Sequence, residues 1–416
     1  MSEYHISWIG RAFSYVFPVT ADYDVTRPQI TAPLFRLVLP PYVFFAALLL
    51  RLHFGLLGKP RTTAKRAEVW LWILAVLALP AVVGDSGSKV VNATLPMLGF
   101  LISMRLYDLY YLHLDAPATL PLLYLHLFSF PLTDSKVIAK RQATGLSPRY
   151  RAFRSLLTHN LVESIAVAFI IRFVPSRVQD LDNLSFIQER ISYIIIGIAI
   201  TLMMGASMDG WFKFCQLVSG IEMKDMFDNP WAATSPRDFW SRRWNLAIKD
   251  LFHGVIFSMV FGAQNEEKDE VTGKPTTYAD AAKEQPKPKP AMWKTSATAM
   301  LIFLFSGLMH VYINFFAFST LDLSNLAYFV LQGFLCVGQV LLQKTVFRSS
   351  KYWPWWVCFL MNLVVTYGIS NKLFSGVFVK YGYFEELKGW VGLFTGGLLR
   401  VGEVVWVVGK PKYGST

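Results

Sequence analysis

The stretch LIFLFSGLMHVYINFF, Leu301–Phe316, decides how the chain is read. Its side chains are apolar or aromatic except for Ser306, His310 and Asn314. Extended to Ala297–Phe318, it reaches the roughly 20 mostly apolar residues a membrane-spanning helix needs. The same pattern recurs along the 416 residues, of which 54% are hydrophobic. A soluble domain holds about 45–50%, so the modest excess matters through its blocks. Further spans are expected at Phe35–Leu56, Glu68–Gly84, Val91–Tyr107, Ile191–Met208, Leu323–Leu342, Trp353–Ile369 and Trp390–Val408. Leu120–Pro131, Val162–Phe173 and Trp244–Phe261 are weaker. The expected fold is all-α: a polytopic integral membrane protein with about 8–11 transmembrane or re-entrant helices. A large soluble helical core is the alternative, and block length argues against it.

Around these spans the chain divides unevenly. Residues 1–34 form a polar arm, and 35–409 a single membrane domain. Within it, 132–157 is a basic loop or interfacial helix carrying Lys136, Lys140, Arg141, Arg149, Arg151 and Arg154 against Asp134 alone. Residues 264–290 read as a polar flexible loop. Trp211–Met223 has the amphipathic pattern of a surface helix. The net charge of +12 fits a cytoplasmic excess of Lys and Arg, with an anionic substrate as a second cause, and not nucleic-acid binding. Glu3, Asp22 and Asp24 interrupt the amino-terminal stretch, so no cleavable signal peptide is expected. Cys215, Cys336 and Cys358 are too scattered for a disulfide framework or a zinc site, and no metal is expected. Asn92 and Asn183 head glycosylation sequons.

An ionisable group in hydrocarbon is a functional suspect. His310 is the best, with Ser306 and Gly307 one turn before it and Asn314 one turn after. The structural alternative is a histidine that only hydrogen-bonds between helices. His253, His113, His126, His5, His53 and His159 sit in weaker contexts. The second focus is NPWAATSPRDFWSRRWN, Asn229–Asn245. Ser235 or Asp238 can cap a helix starting near Arg237. Helical spacing then pairs Asp238 with Arg242, Phe239 with Arg243, Trp240 with Trp244 and Ser241 with Asn245. An aromatic belt at headgroup depth, with arginines on lipid phosphate, reads equally well.

The string Pro236, Phe239, Trp240, Ser241, Arg242, Arg243, Trp244, Asn245 closely resembles the signature of the membrane-bound O-acyltransferase superfamily, in its wax synthase-like branch. Ser306–His310, SGLMH, resembles the family's intramembrane histidine in a helix of small residues. The resemblance covers roughly 225–345. It departs at Ser241, where many members have glycine, and at Val311, where glutamate is frequent.

The resemblance implies a catalytic His310 and Asn245, a thioester donor from coenzyme A and an alcohol acceptor. His310 is then the general base. Asn245 stabilises the developing oxyanion or orients the base or the acceptor. Arg237, Arg242 and Arg243 meet the donor's phosphates, and Trp240 and Trp244 line its pantetheine arm. The basic loop is a second donor candidate. Fungal members suggest acetyl-CoA as donor substrate, with no permanently bound cofactor, and a terpenoid or other secondary metabolite as the lipophilic alcohol. Plant members suggest long-chain wax esters instead. Membrane lipid surrounds the chain, no obligate protein partner is indicated, and the endoplasmic reticulum is the expected location. A transporter using His310 and Asn314 as a relay and a non-catalytic interaction protein are the rival readings.

Overall fold

The computed structural model describes residues 30–57, 59–60, 62–112, 119–132, 134–175, 178–182, 184–261, 292–345 and 354–391. In chain order the helices are α1 (Phe35–Leu56), α2 (Thr63–Val83), α3 (Lys89–Leu112), α4 (Leu120–Phe128), α5 (Ser135–Gln142), α6 (Pro148–Phe173), α7 (Phe186–Ser219), α8 (Leu246–Phe261), α9 (Met292–Phe318), α10 (Ser324–Leu342) and α11 (Trp355–Lys380). All but α4, α5 and α8 are long and apolar enough to cross a membrane, which makes eight among the described residues. The chain is a multi-pass, all-α integral membrane protein. Phe35, Leu71, Val162, Ile165, Phe169 and Trp355 are exposed on its outside, as expected where the solvent is lipid.

Local chemistry sets where helices begin. The side chains of Thr62, Ser88, Asp134 and Ser147 accept from backbone N–H groups in the first turns of α2, α3, α5 and α6. Ser185 and Gln188 form a reciprocal capping box on α7. Glu386, 297 residues from Lys89 in sequence, caps α3, accepting from Lys89 N at 2.8 Å and from the Ser88 hydroxyl. That carboxylate sits where the helix dipole favours negative charge.

Several boundaries differ from the sequence reading. The end of the expected basic loop is helical. Pro148–Ser155 continues through a wide turn at Leu156–Asn160 into the apolar Leu161–Ile170, so Val162–Phe173 is the latter part of a full span. The expected surface helix at Trp211–Met223 is instead the end of α7, which runs through a similar turn at Gly205–Asp209. Such π-turns add one residue without breaking the helix, which periodicity cannot detect. The described part of α8 is 16 residues long and by itself is short of spanning length. Leu120–Pro131 yields only α4, nine residues long. Most of the expected Trp390–Val408 span, 392–408, lies outside the described residues, as do 1–29, 264–290, His5, His113 and Asn183.

Ion pairs and hydrogen bonds mark two rims. On one, Lys380 pairs with Asp322 at 3.3 Å and Lys388 donates to Val174 O at 2.6 Å, near the Glu386 cap. Asn92 belongs to this rim: its amide donates to Asp85 at 2.6 Å and its oxygen accepts from Ser86 N at 2.9 Å. On the other, Arg141 and Arg151 both bind the buried Glu222, and Arg141 and Lys213 bind Asp225. Burial alone would raise the Asp225 carboxyl, but Lys213 and Arg141 hold it below the ordinary carboxylate range.

Candidate active site

The Asn229–Asn245 motif is held by the segment before it. Leu132 N donates to Glu222 O and Lys224 N to Phe130 O, each at 2.8 Å. The same strip then pairs onward, Leu246 N to Met226 O at 2.8 Å and Asp228 N to Arg243 O at 2.9 Å. The motif is thus suspended from an extended strip that Glu222 and Asp225 fasten to α5 and α6.

Ser235 caps the short turn Pro236–Asp238, accepting from Asp238 N at 3.1 Å. The next five residues, Phe239–Arg243, form a π-turn closed by Trp244 N to Phe239 O at 2.9 Å. This overturns the expected pairing of Asp238 with Arg242, while Trp240 and Trp244 still meet, edge to face at 6.2 Å. Asp238 binds Arg243 at 2.8 Å, one residue beyond the expected Arg242. Arg243 also donates to the carbonyls of Asp228 and Asn229. It therefore fastens the motif, and Arg242 stays exposed on the outer face. The chain leaves the helix at Trp244, φ −101° and ψ 127°, and turns at Asn245, φ 47°. That left-handed conformation is tolerated by Asn better than by most residues. It starts α8 in a new direction, so Ser241 and Asn245 do not share a continuous helix.

Phe239 is buried, stacked on Trp244 at 5.1 Å and edge-on to Trp240 at 5.0 Å. Trp240 Nε1 donates to Gln332 Oε1 at 3.0 Å, and Gln332 Nε2 donates to Ser370 Oγ at 2.7 Å. Gln332 is fully buried and so fixes the tryptophan between α10 and α11.

His310 lies on α9. Its Nδ1 is 2.8 Å from Ser306 O. A carbonyl oxygen only accepts, so Nδ1 carries the proton and Nε2 presents its lone pair. The rings of Phe329 and Phe374 stand 4.5 and 5.3 Å from the imidazole and fix its plane. Gly307 brings α10 close: a Cβ there would stand 2.8 Å from Leu326 Cδ1 and 3.0 Å from its Cα. Asn314 does not join the site. With the Asn325 amide oriented by its partners, Asn314 Nδ2 donates to Asn325 Oδ1 at 3.0 Å, and Asn325 donates to the carbonyls of Leu373 and Phe374.

One cavity of about 660 Å³ collects His310 and Ser306 from α9, and Arg237, Trp240, Ser241, Trp244 and Asn245 from the motif. Its volume is that of a small-molecule site. Lys249 and His253 from α8 and Thr366, Tyr367 and Asn371 from α11 also line it. Asn245 Oδ1 is buried and takes no hydrogen bond from the described protein atoms. Of the expected site residues, Arg242 and Arg243 are the two the cavity does not include.

Residues 223–331 match the membrane bound O-acyl transferase family. The matched segment holds the motif, α8, α9 and the first turns of α10, hence both Asn245 and His310. The probable long-chain-alcohol O-fatty-acyltransferase 9 of Arabidopsis thaliana is 28% identical over 173 residues, 40% of this chain and 43% of its own length. The long-chain-alcohol O-fatty-acyltransferase of Simmondsia chinensis is 26% identical over 128 residues, 30% of each chain. The acyl-CoA–sterol O-acyltransferase 1 of Arabidopsis thaliana is 24% identical over 134 residues, 31% of each chain. The chain spans less than half the length of each of these relatives.

Sequence reasoning missed Gln332, Lys249 and the α11 wall. Gln332 carries the signal of a polar side chain inside an expected span. Lys249 lies one turn beyond Asn245 on α8, and its Nζ donates to Ser241 O at 3.2 Å. Thr366 and Tyr367 face the cavity from a π-turn, Leu363–Ile369, that hydropathy cannot reveal.

Proposed function

We propose that the chain is a membrane-bound O-acyltransferase of the wax synthase-like branch. It moves an acyl group from a coenzyme A thioester to the hydroxyl of a lipophilic alcohol, with His310 as general base. The observation that carries this is the His310 tautomer. The 2.8 Å contact of its Nδ1 with Ser306 O assigns the proton to Nδ1 and leaves the Nε2 lone pair free, and His310 lines the same cavity as Asn245.

In this reading Nε2 takes the alcohol proton as the oxygen attacks the thioester carbonyl. The carbon–sulfur bond of the tetrahedral adduct then breaks, and the imidazolium returns its proton to the departing thiolate. General base help of this kind is worth about 10²–10⁴-fold. Asn245 lines the cavity, with its Oδ1 enclosed and unpaired among the described protein atoms. In this reading its amide N–H donates to the oxyanion, or the side chain orients the base or the acceptor. Among the described residues, Arg237 and Lys249 are the arginine and lysine on the cavity wall and the favoured partners for the donor's phosphates, Lys249 by exchanging its half-exposed pairing with Asp250 for phosphate. Arg242 and Arg243 are not. The same holds for Arg141 and Arg151 of the basic segment, already engaged with carboxylates.

The relatives' names favour long-chain acyl donors over acetyl-CoA, and none refers to a fungal terpenoid or other secondary metabolite. Acetyl transfer is kept as the second reading, and location in the endoplasmic reticulum as part of the proposal. Purified protein in nanodiscs is assayed for free thiol with acetyl-, octanoyl- and palmitoyl-CoA against hexadecanol and a sterol. Release that requires the alcohol and rises with acyl length is expected, and His310→Ala abolishes it while the protein stays monodisperse. A well-folded H310A protein with full turnover would remove the base assignment. A strict preference for acetyl-CoA would restore the second reading.

A further inference from the structure

A second cavity of about 820 Å³ lies beside the first, outside the matched segment for most of its wall. Met97, Leu101 and Met208 line both cavities. The two are arranged along α9. Met292, His310 and Ile313 face the first, and Phe315, Phe316 and Ser319 the second. At 1.5 Å per residue, α9 is about 40 Å long, and His310 lies about 27 Å from its start. A substrate whose reacting carbon or oxygen is at His310 thus has apolar space ahead of it, beyond the three shared side chains.

The second cavity is walled by Leu37, Phe45, Leu98, Leu127, Phe128 and similar residues. Of its polar members, Asp85, Ser86 and Asn92 lie at the far rim and are already hydrogen-bonded to one another, while Ser207 and Trp211 donate to the backbone carbonyls of Met203 and Phe128. Nothing in that wall suits a phosphate or a charged head. Methionine is unbranched and deformable, and a side chain of that kind can yield to a passing chain. Leu101 is buried, and Met97 and Met208 are half-buried.

We infer that Met97, Leu101 and Met208 form a sieve through which a linear hydrocarbon tail passes from the His310 cavity into the second one, setting the longest chain accepted. The tail belongs either to the acyl donor or to the alcohol. The inference rests on the acyl-transfer reading for its chemistry, but the tail's path can be measured without turnover.

Full-length protein in nanodiscs is photolabelled with hexadecanol or palmitoyl-CoA bearing a diazirine at the terminal carbon, and with the octyl analogues. Crosslinks of the long probe are expected in residues 37–45 or 315–319. Those of the octyl probe should remain among residues lining the first cavity. The probe that reaches the second cavity tells which substrate owns the tail. Met208→Trp should cut long-probe labelling there by roughly tenfold, the scale on which a fitted apolar site rejects excess bulk. Met208→Ala and Met97→Ala should keep or extend it, so a poorly folding Trp variant does not decide the matter. The ratio of kcat/KM for long over short chains should fall in the Trp variant and rise in the Ala variants. Long-probe labelling confined to the first cavity, or unchanged across all three variants, overturns the sieve. Labelling as expected with no ester from any substrate pair overturns the acyl-transfer reading and leaves the tail path standing.

Discussion

At the scale of single residues, Asn245 shows what spacing can and cannot say. Its place at the end of an arginine–tryptophan string marks it as a site candidate. Its geometry is hidden from the sequence, because four-residue spacing assumes an α-helix and the chain makes a π-turn and then a residue at φ 47°. The structure also changes which substitution tests it. Asn245→Ala removes the amide and adds left-handed strain of about 1–2 kcal/mol. Asn245→Gly removes the same amide at a position where glycine is at ease. Asn245→Gly is expected to stay near wild type in thermal stability and to lose about 10²–10³-fold in kcat, the scale of a missing oxyanion donor. Measuring both melting temperature and steady-state rate for the two variants separates strain from chemistry. A glycine variant with normal kcat and a raised KM for the donor would place Asn245 in donor binding. His310, in contrast, is legible outright, since an ionisable side chain among apolar residues needs no geometry to be noticed.

At the scale of elements, the site depends on how closely α9 and α10 approach. Gly307 permits it, and Leu326 stands where a Cβ would be. The Cδ1 of Leu326 can swing aside, but its Cα cannot. Gly307→Ala therefore has to part the helices by some tenths of an ångström, at about 1–3 kcal/mol for overpacking. Phe329, one turn past Leu326 on α10, packs on His310, so the shift reaches the imidazole. The expected result is a melting temperature lower by a few degrees and a larger loss in kcat than in donor affinity. A variant with wild-type kcat would mean the helices part without moving the imidazole. The Gly307 contact is readable in part, since small residues are known to admit neighbouring helices. The partner is not, because nothing in a hydropathy pattern says which span lies opposite. The basic segment behaves alike. Composition makes it a loop and a donor site, whereas Glu222 and Asp225, far away in sequence, use Arg141 and Arg151 to hold the motif's support.

At the scale of the whole molecule, the chain presents two unlike rims. The rim of Lys136, Lys140, Arg149, Arg154, Arg237, Arg242 and Lys249 has a basic excess over its acids, most of which, Glu222, Asp225, Asp238 and Asp250, are already paired. The rim around Asp85, Asp322, Glu385 and Glu386 mixes acids with its lysines. By the positive-inside rule the first rim is predicted to face the cytosol, the side from which the proposed acyl-CoA donor would reach the cavity wall at Arg237 and Lys249. The ion pairs from Glu222 to Arg141 and Arg151 tie the basic segment to the strip that carries the motif, so both must lie on one side. The eight spans are largely visible as apolar blocks, and the charge bias is visible as composition. The physical link between basic segment and motif is not, because it runs through contacts distant in sequence. Single cysteines test the arrangement. Lys140→Cys and Arg242→Cys replace exposed residues outside the ion pairs of this rim, while Leu321→Cys marks the opposite one, exposed between α9 and α10. In sealed microsomes an impermeant maleimide is expected to label the first two and to reach the third only after detergent. Labelling of Lys140→Cys and Arg242→Cys from opposite sides would break the two-rim arrangement itself. Labelling of Leu321→Cys alone from outside would keep the fold and invert it, leaving the donor cavity open to the lumen and the acyl-CoA reading without a donor.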